Sequence, residues 1–135
     1  MGYYWDYPDV EVSSLIGQVI REVRYNGQDE IRFIMDNDDE YLMYHDQDCC
    51  ESVTVDDIVG DLRDLEGSPL LISEEVSNGD DPPGWTADEW NESYTWTYYR
   101  FATIRGSVSI RWYGSSNGYY SERVSFVRVQ PPASE

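Results

Sequence analysis

The chain has 135 residues, enough for one domain with its own core, and its 15% aromatic content argues against intrinsic disorder. Twenty-seven acidic residues oppose nine arginines, lysine is absent, and the formal net charge is −18. Such a surface repels phosphate and excludes direct nucleic-acid binding by the bulk of the protein. No apolar run reaches membrane-spanning length and no signal-peptide pattern begins the chain, so we expect no membrane partner and a cytoplasmic location.

The charge is distributed unevenly along the chain. Residues 1–92 carry −21, whereas residues 93–135 carry +3 because five of the nine arginines lie there. The C-terminal arginines could pair with N-terminal carboxylates across a sheet, which would need no functional explanation. The alternative is that the acidic part attracts a basic surface on another molecule.

The first elements in chain order are predicted to be strands, followed by one helix. Residues 15–26 alternate as a strand would, with a short helix as the alternative, and residues 30–46 indicate a hairpin with its turn at 36–39. The segment 54–69 predicts a helix, because Thr54 and Asp57 have capping-box spacing. Gly67 and Pro69 would end it. Its apolar face would comprise Val55, Ile58, Val59, Leu62 and Leu65.

A strand at 70–76 and a long acidic loop at 78–92 precede the last third of the chain. Alternating strands at 94–104, 107–113 and 119–129 predict a three-stranded antiparallel meander. The expected fold class is therefore α+β, with an antiparallel sheet and one packed helix at about residues 55–66. We expect a single domain over residues 1–135, with a leader at 1–12 and a tail at 130–135.

Two segments share an ordered set of motifs with a known group of proteins. Residues 43–71 contain HDQDCCE (45–51) and the Gly-Asp-Leu of the predicted helix (60–62). Residues 92–126 contain ESYTWT (92–97) and RWYGSSNGYYSE (111–122). In these motifs the chain resembles an uncharacterised family of small domains found mostly in bacteriophages and some bacteria. The resemblance implies a phage origin and brings no assigned activity.

The segment 44–53 contains the chain's one histidine and both its cysteines, His45, Cys49 and Cys50. With Asp46 or Asp48 as a fourth ligand these could hold zinc, but adjacent cysteines on a strand point to opposite faces. A Cys–His nucleophile is a further alternative, although the neighbouring carboxylates would suppress the thiolate. We favour a structural junction with reduced thiols. We expect no cofactor, and because other catalytic motifs are absent, no enzymatic activity.

Aromatic and arginine side chains are concentrated in the C-terminal strands. Such a surface can stack on a base and pair with phosphate, so binding or sequestering a nucleotide-like ligand is an alternative function. The opposing interpretation is that the tryptophans belong to the core and the tyrosines form cross-strand pairs. The candidate ligand residues are Tyr94, Trp96, Arg111, Tyr113, Asn117, Tyr119, Tyr120 and Arg123.

The leading hypothesis is a non-enzymatic acidic protein that presents carboxylates to a basic site on a host protein, in place of nucleic-acid phosphates. Trp85 and Trp90 in the acidic loop would anchor the interface, since tryptophan often dominates binding energy. A second copy of the chain is a further possible partner, which would make the protein a homo-oligomer. The proposed carboxylates are Asp36, Asp38, Asp39, Glu40, Asp56, Asp57, Asp61, Asp64, Asp80, Asp81, Asp88 and Glu89.

Overall fold

A computed structural model describes residues 7–47, 50–78, 93–116 and 121–129. Eight strands form two four-stranded antiparallel sheets in the orders β1-β2-β3-β8 and β4-β7-β6-β5. Within these ranges the only helical elements are two 3-10 helices, Val12–Leu15 and Leu62–Leu65. The predicted α+β class is therefore wrong, and the described part of the protein is all-β. The strands are β1 (Ile20–Tyr25), β2 (Glu30–Met35), β3 (Glu40–Tyr44), β4 (Ser52–Val59), β5 (Ile72–Asn78), β6 (Ser93–Thr103), β7 (Gly106–Ser116) and β8 (Ser125–Val129).

The two sheets pack face to face around one main core. Phe33 on β2 packs against Phe101 on β6, with ring centroids 5.4 Å apart. Trp112 on β7 donates its indole N–H to the Met43 sulfur on β3 at 3.3 Å. These contacts join the sheets directly, as in a β-sandwich. No helix in the described ranges is long and apolar enough to cross a membrane.

The predicted helix at about 55–66 is wrong, because most of this segment is strand β4. A β-bulge between Val55 and Asp57 interrupts the pairing of β4 with β7. The bulge inserts one residue, so two exposed aspartates follow each other and the apolar spacing resembles that of a helix. β-Branched residues dominate the strand and favour its extended conformation. The predicted capping box is therefore absent, and Asp61 instead caps the Leu62–Leu65 3-10 helix by accepting from the Arg63 N–H at 2.9 Å.

The predicted C-terminal meander is correct for its first two strands and wrong for its third. β6 and β7 pair along their whole length through a tight turn after Thr103. Residues 125–129 form β8, but this strand pairs with β3 in the other sheet. The chain therefore crosses between sheets after β7. The predicted strand at 70–76 corresponds to β5, and the predicted hairpin at 30–46 is confirmed as β2–β3.

An N-terminal segment connects an edge of each sheet. The Val10 N–H donates to the Phe126 carbonyl at 3.0 Å, and Asp9 forms an antiparallel bridge with Val127. The chain then enters the Val12–Leu15 3-10 helix. The Val12 carbonyl accepts a hydrogen bond of 2.5 Å from the buried hydroxyl of Ser73, which lies on β5. Residues 9–12 therefore run from the β8 edge of one sheet to the β5 edge of the other.

Candidate functional site

His45 and Glu51 form a buried pair between the end of β3 and the start of β4. Their side chains are 4% and 0% exposed, and Nε2 of His45 lies 2.6 Å from Oε2 of Glu51. Nδ1 of His45 lies 2.7 Å from the backbone carbonyl of Arg123. A carbonyl can only accept, so Nδ1 carries a proton. Nε2 and the Glu51 carboxyl group lie within hydrogen-bonding distance of each other.

This geometry assigns His45 a structural role. Both ring nitrogens are engaged, so neither offers a lone pair to a metal unless an existing hydrogen bond breaks. Among the described residues no group of three histidine, cysteine or carboxylate side chains could hold a metal ion. The prediction of reduced thiols is wrong for Cys50, which is disulfide-bonded and therefore offers no thiolate. Asp48 and Cys49 lie outside the described residues.

On the aromatic–arginine face of β6 and β7, the described side chains pack against one another, with Trp96 buried and Tyr94, Arg111 and Tyr113 half-buried. The indole of Trp96 is 1% exposed and packs on the Tyr113 ring at 4.6 Å between centroids. Arg111 lies 5.4 Å from the Trp96 ring and binds the Asp56 carboxylate at 2.5 Å. The Arg111 guanidinium and the face of the Trp96 ring are thus already engaged within the protein. Tyr94 in turn stacks on Tyr113. Asn117, Tyr119 and Tyr120 lie outside the described residues.

The arginines are mostly paired internally. Eight of the nine form ion pairs with carboxylates. Four of the five C-terminal arginines pair with carboxylates from residues 1–92, so internal pairing explains much of the charge asymmetry. Arg105 instead donates to the Glu66 carbonyl at 3.3 Å. The ion pairs join Arg100 to Glu74, Arg111 to Asp56, Arg123 to Asp9 and Arg128 to Asp39.

The predicted partner-binding carboxylates are consequently of two kinds. Asp38, Asp39, Glu40 and Asp56 pair with arginines, and Asp61 serves as a cap. A second group forms no ion pair with an arginine in the described part of the chain. This second group consists of Asp36, Asp57 and Asp64. The remaining predicted residues lie outside the described residues: Asp80, Asp81, Asp88, Glu89, Trp85 and Trp90.

Two clefts adjoin Arg123, just before β8. The first is about 450 Å³ and is lined by His45, Asp46, Gln47, Ser121, Arg123 and Ser125. The second is about 490 Å³ and lies where residues 9–11 pass between the β8 and β5 edges. It is lined by Asp9, Val10, Glu11, Glu75, Arg123, Val124 and Phe126. Both volumes are within the range of small-ligand sites.

Glu75 and Tyr99 face each other beside the second cleft, on paired positions of β5 and β6. Burial raises the pKa of Glu75 above its usual value, although the charge of Arg123 and the nearby Tyr99 hydroxyl oppose this. Burial and the negative charge of Glu75 raise the pKa of Tyr99. The Tyr99 hydroxyl is buried and interacts with Glu75, yet it makes no hydrogen bond of full geometry in the described structure. Tyr99 therefore stays protonated, and its hydroxyl lies against Glu75 beside the cleft.

Sequence reasoning identified Arg123 but missed Asp9, Glu11, Glu75 and Tyr99. A signal for Glu75 was present in the predicted strand at 70–76. Ser73 and Glu75 alternate with Ile72, Glu74 and Val76, so one face of the strand carries only polar residues. That face points towards the buried side of the sheet, where Ser73 is 1% exposed. Glu75 lies on the same face of this edge strand but is itself exposed.

Residues 13–126 match a family described as a domain of unknown function, DUF7448. No curated protein and no solved structure is significantly similar to the chain. The match spans all the described strands except the end of β8, and it confirms the expected membership of an uncharacterised family. The phage origin stays a prediction. By its sequence over most of its length, the chain belongs to the DUF7448 family.

Proposed function

We propose that this domain is a non-enzymatic, phage-encoded binding protein that occupies a basic site on a host protein. The proposed target is a defence or nucleic-acid-handling factor whose basic site normally holds phosphates. The protein would act in the cytoplasm of the infected cell. Its carboxylates would replace phosphates as anionic partners, and it would inhibit the target by competition.

The pairing of the arginines is the observation that supports this proposal. Because eight of the nine arginines are neutralised within the protein, the field that a partner meets is dominated by the excess carboxylates. Like-charge repulsion disfavours anionic ligands, and a complementary basic surface is attracted at long range. Asp36 and Asp57 are exposed members of this excess.

The other two classes considered from the sequence have less support. A nucleotide-binding sheet would need an accessible aromatic face, but Trp96 is covered and Arg111 is paired with Asp56. A metal or thiol enzyme at His45 would need a free ring nitrogen or a thiolate, but the imidazole is engaged at both nitrogens. Neither class is therefore proposed.

A displacement experiment tests the proposal. Bacterial lysate is bound to immobilised duplex DNA, and the column is eluted with this protein or with polyglutamate at the same total charge. We expect the protein to release a small, defined set of DNA-binding proteins at concentrations at which polyglutamate releases none. Release should diminish as salt screens the contacts. Identical elution by the two polyanions would show that only bulk charge acts and would overturn the proposal.

A further inference from the structure

Apolar side chains are exposed together at one end of the second sheet, beside the turn that joins β6 to β7. Ile104 in this turn is 80% exposed, and Val59 at the end of β4 is 63% exposed. Ile16, Leu71 and Ile72 are exposed as well. In the part of the chain that the structure describes, Val76 is the one other large hydrophobic residue of comparable exposure.

Strand pairing places these residues on one surface. Ile72 on β5 lies opposite Ala102 on β6, which lies opposite Ser107 on β7. Directly paired residues share a face of a sheet, so these three side chains all point away from the core. Val59 on β4 lies opposite Ser109. Ser109 is the next residue but one after Ser107, and Val59 therefore belongs to the same outer face.

Backbone hydrogen bonds bring the remaining apolar residues to this end. The Leu71 N–H donates to the Ala102 carbonyl at 2.8 Å, one residue before the Thr103–Gly106 turn that contains Ile104. The Gly17 N–H donates to the Leu70 carbonyl at 2.8 Å, which places Ile16 beside Leu71. We call Ile16, Val59, Leu71, Ile72 and Ile104 the apolar end patch. Single exposed apolar residues are normal on a protein surface, whereas a group of neighbours indicates an interaction site.

Carboxylates flank the apolar end patch and give its rim a net negative charge. Asp57 lies two positions before Val59 on the outer face of β4. Asp64 lies against the turn, because its Oδ2 would be 2.7 Å from a Cβ atom at Gly106. Neither carboxylate forms an ion pair with an arginine in the described ranges, and Arg105 is the one arginine in the turn. A partner that covers the patch therefore meets an apolar centre with carboxylates beside it.

From this arrangement we propose that the apolar end patch is the surface that contacts the partner protein, and that it binds an apolar segment flanked by lysine or arginine side chains. Burial of the apolar residues provides most of the binding free energy, and Asp57 and Asp64 pair with the flanking basic residues. A second copy of the chain is a poorer occupant, because both copies would carry the charge of −18 and repel each other. The assignment of the occupant to a host protein rests on the proposed function, whereas the preference for a basic apolar segment does not.

A defined peptide tests the patch. A helical peptide of leucine and lysine, with all its leucines on one face, is titrated into the full chain and followed through the backbone amide signals by NMR. A scrambled peptide of the same composition has the same charge without the apolar face, so it measures bulk attraction alone. We expect saturable shifts confined to residues 16–17, 57–64, 71–72 and 102–107 with the amphipathic peptide only. Binding should weaken as sodium chloride is added.

Ile72→Thr and Val76→Thr form a matched pair of variants. Both residues are β-branched, lie on the outer face of β5 and are exposed to nearly the same extent, 39% and 40%. Threonine keeps the strand preference at either position. Ile104→Thr should weaken binding of the amphipathic peptide about tenfold and Ile72→Thr about threefold, as expected for loss of apolar contact area. Val76→Thr should bind the peptide as the wild type does.

Several results would overturn the patch. These are equal binding by Ile72→Thr and Val76→Thr, equal binding of the two peptides, binding that is indifferent to salt, or shifts scattered over the surface without saturation. Sedimentation of the chain alone tests the other occupant, and we expect a monomer. A dimer that Ile104→Thr dissociates would mean that a second copy covers the patch, and the proposed occupant would be wrong.

Failure of this surface can be distinguished from failure of the proposed function. If Ile104→Thr still displaces DNA-binding proteins as the wild type does, the function stands and the apolar end patch is not its contact surface. If the amphipathic peptide binds as expected but no protein is displaced selectively, the patch stands and the proposed function is wrong.

Discussion

Two buried carboxylates, Glu51 and Glu122, are stabilised in different ways. Glu51 contacts Nε2 of the His45 imidazole at 2.6 Å, whereas Glu122 accepts from the hydroxyls of Thr95 at 2.7 Å and Ser116 at 2.6 Å. Hydroxyl donors stabilise an ionised carboxylate without bringing a second charge into the interior. Both groups are therefore explained by their internal contacts, whereas Glu75 is exposed.

Glu51→Ala should destabilise the protein by about 3 kcal/mol, because it leaves the buried His45 nitrogen without its partner. Glu51→Gln should cost less, since the amide can donate to Nε2 of the tautomer protonated at Nδ1. Urea denaturation of both variants measures the difference. An equal loss in the two would mean that the hydrogen bond to Nε2 contributes little.

Glu75→Gln should raise the free energy of unfolding at pH 7. Because burial raises the pKa of Glu75, the folded state binds more protons than the unfolded state between the unfolded value of 4.5 and the higher folded value. Stability from this group is therefore greatest at low pH and is lost as the pH rises through that window. The gain in the variant should vanish below pH ~4, where both states are protonated.

Urea denaturation at several pH values, with Glu74→Gln as the control, measures this effect. A variant no more stable than the wild type at pH 7 would contradict the prediction. A gain would mean that the wild type retains a carboxylate that weakens its own fold.

At the scale of elements, the alternation of apolar and polar residues along the strands could be predicted from the sequence. Which strands pair with one another could not. The β6–β7 hairpin has local pairing and a tight turn, so Tyr99, Phe101, Val108 and Ile110 face the core at predictable positions. β4 was mistaken for a helix because its bulge disrupts the period of two. Pairing of β8 with β3 joins residues more than 80 apart, and no local pattern encodes it. The cleft was missed for the same reason, since residues 9–11, β5 and β8 meet only in the folded chain.

Gly60→Ala should destabilise the end of β4 more than Gly27→Ala destabilises the β1–β2 turn. Both glycines have positive φ, of +107° and +89°, so alanine costs about 1–2 kcal/mol at either position. A Cβ at Gly60 would also collide with the Ser107 carbonyl oxygen on β7, whereas nothing lies within 4 Å of one at Gly27. Thermal unfolding of the two variants compares them, and equal melting temperatures would argue against this close approach of β4 and β7.

The whole molecule carries a large excess of negative charge on a small surface. Its repulsion opposes the compact state, because internal pairs neutralise only part of the −18. Added sodium chloride should therefore raise the melting temperature at pH 7 by screening this repulsion. The effect should be lost near pH 4.1, the isoelectric point. A melting temperature that falls with salt at pH 7 would instead show that the ion pairs outweigh the repulsion.

The position of β8 has a consequence for how the protein is made. This strand completes the first sheet by pairing with β3, and it also holds residues 8–10. On the ribosome, β1, β2 and β3 emerge long before residues 125–129, so the open edge of β3 stays unpaired during most of translation. The sandwich can close only after β8 has left the exit tunnel. Chains stalled before residue 125 should remain protease-sensitive, and longer chains should become resistant together with β1–β3.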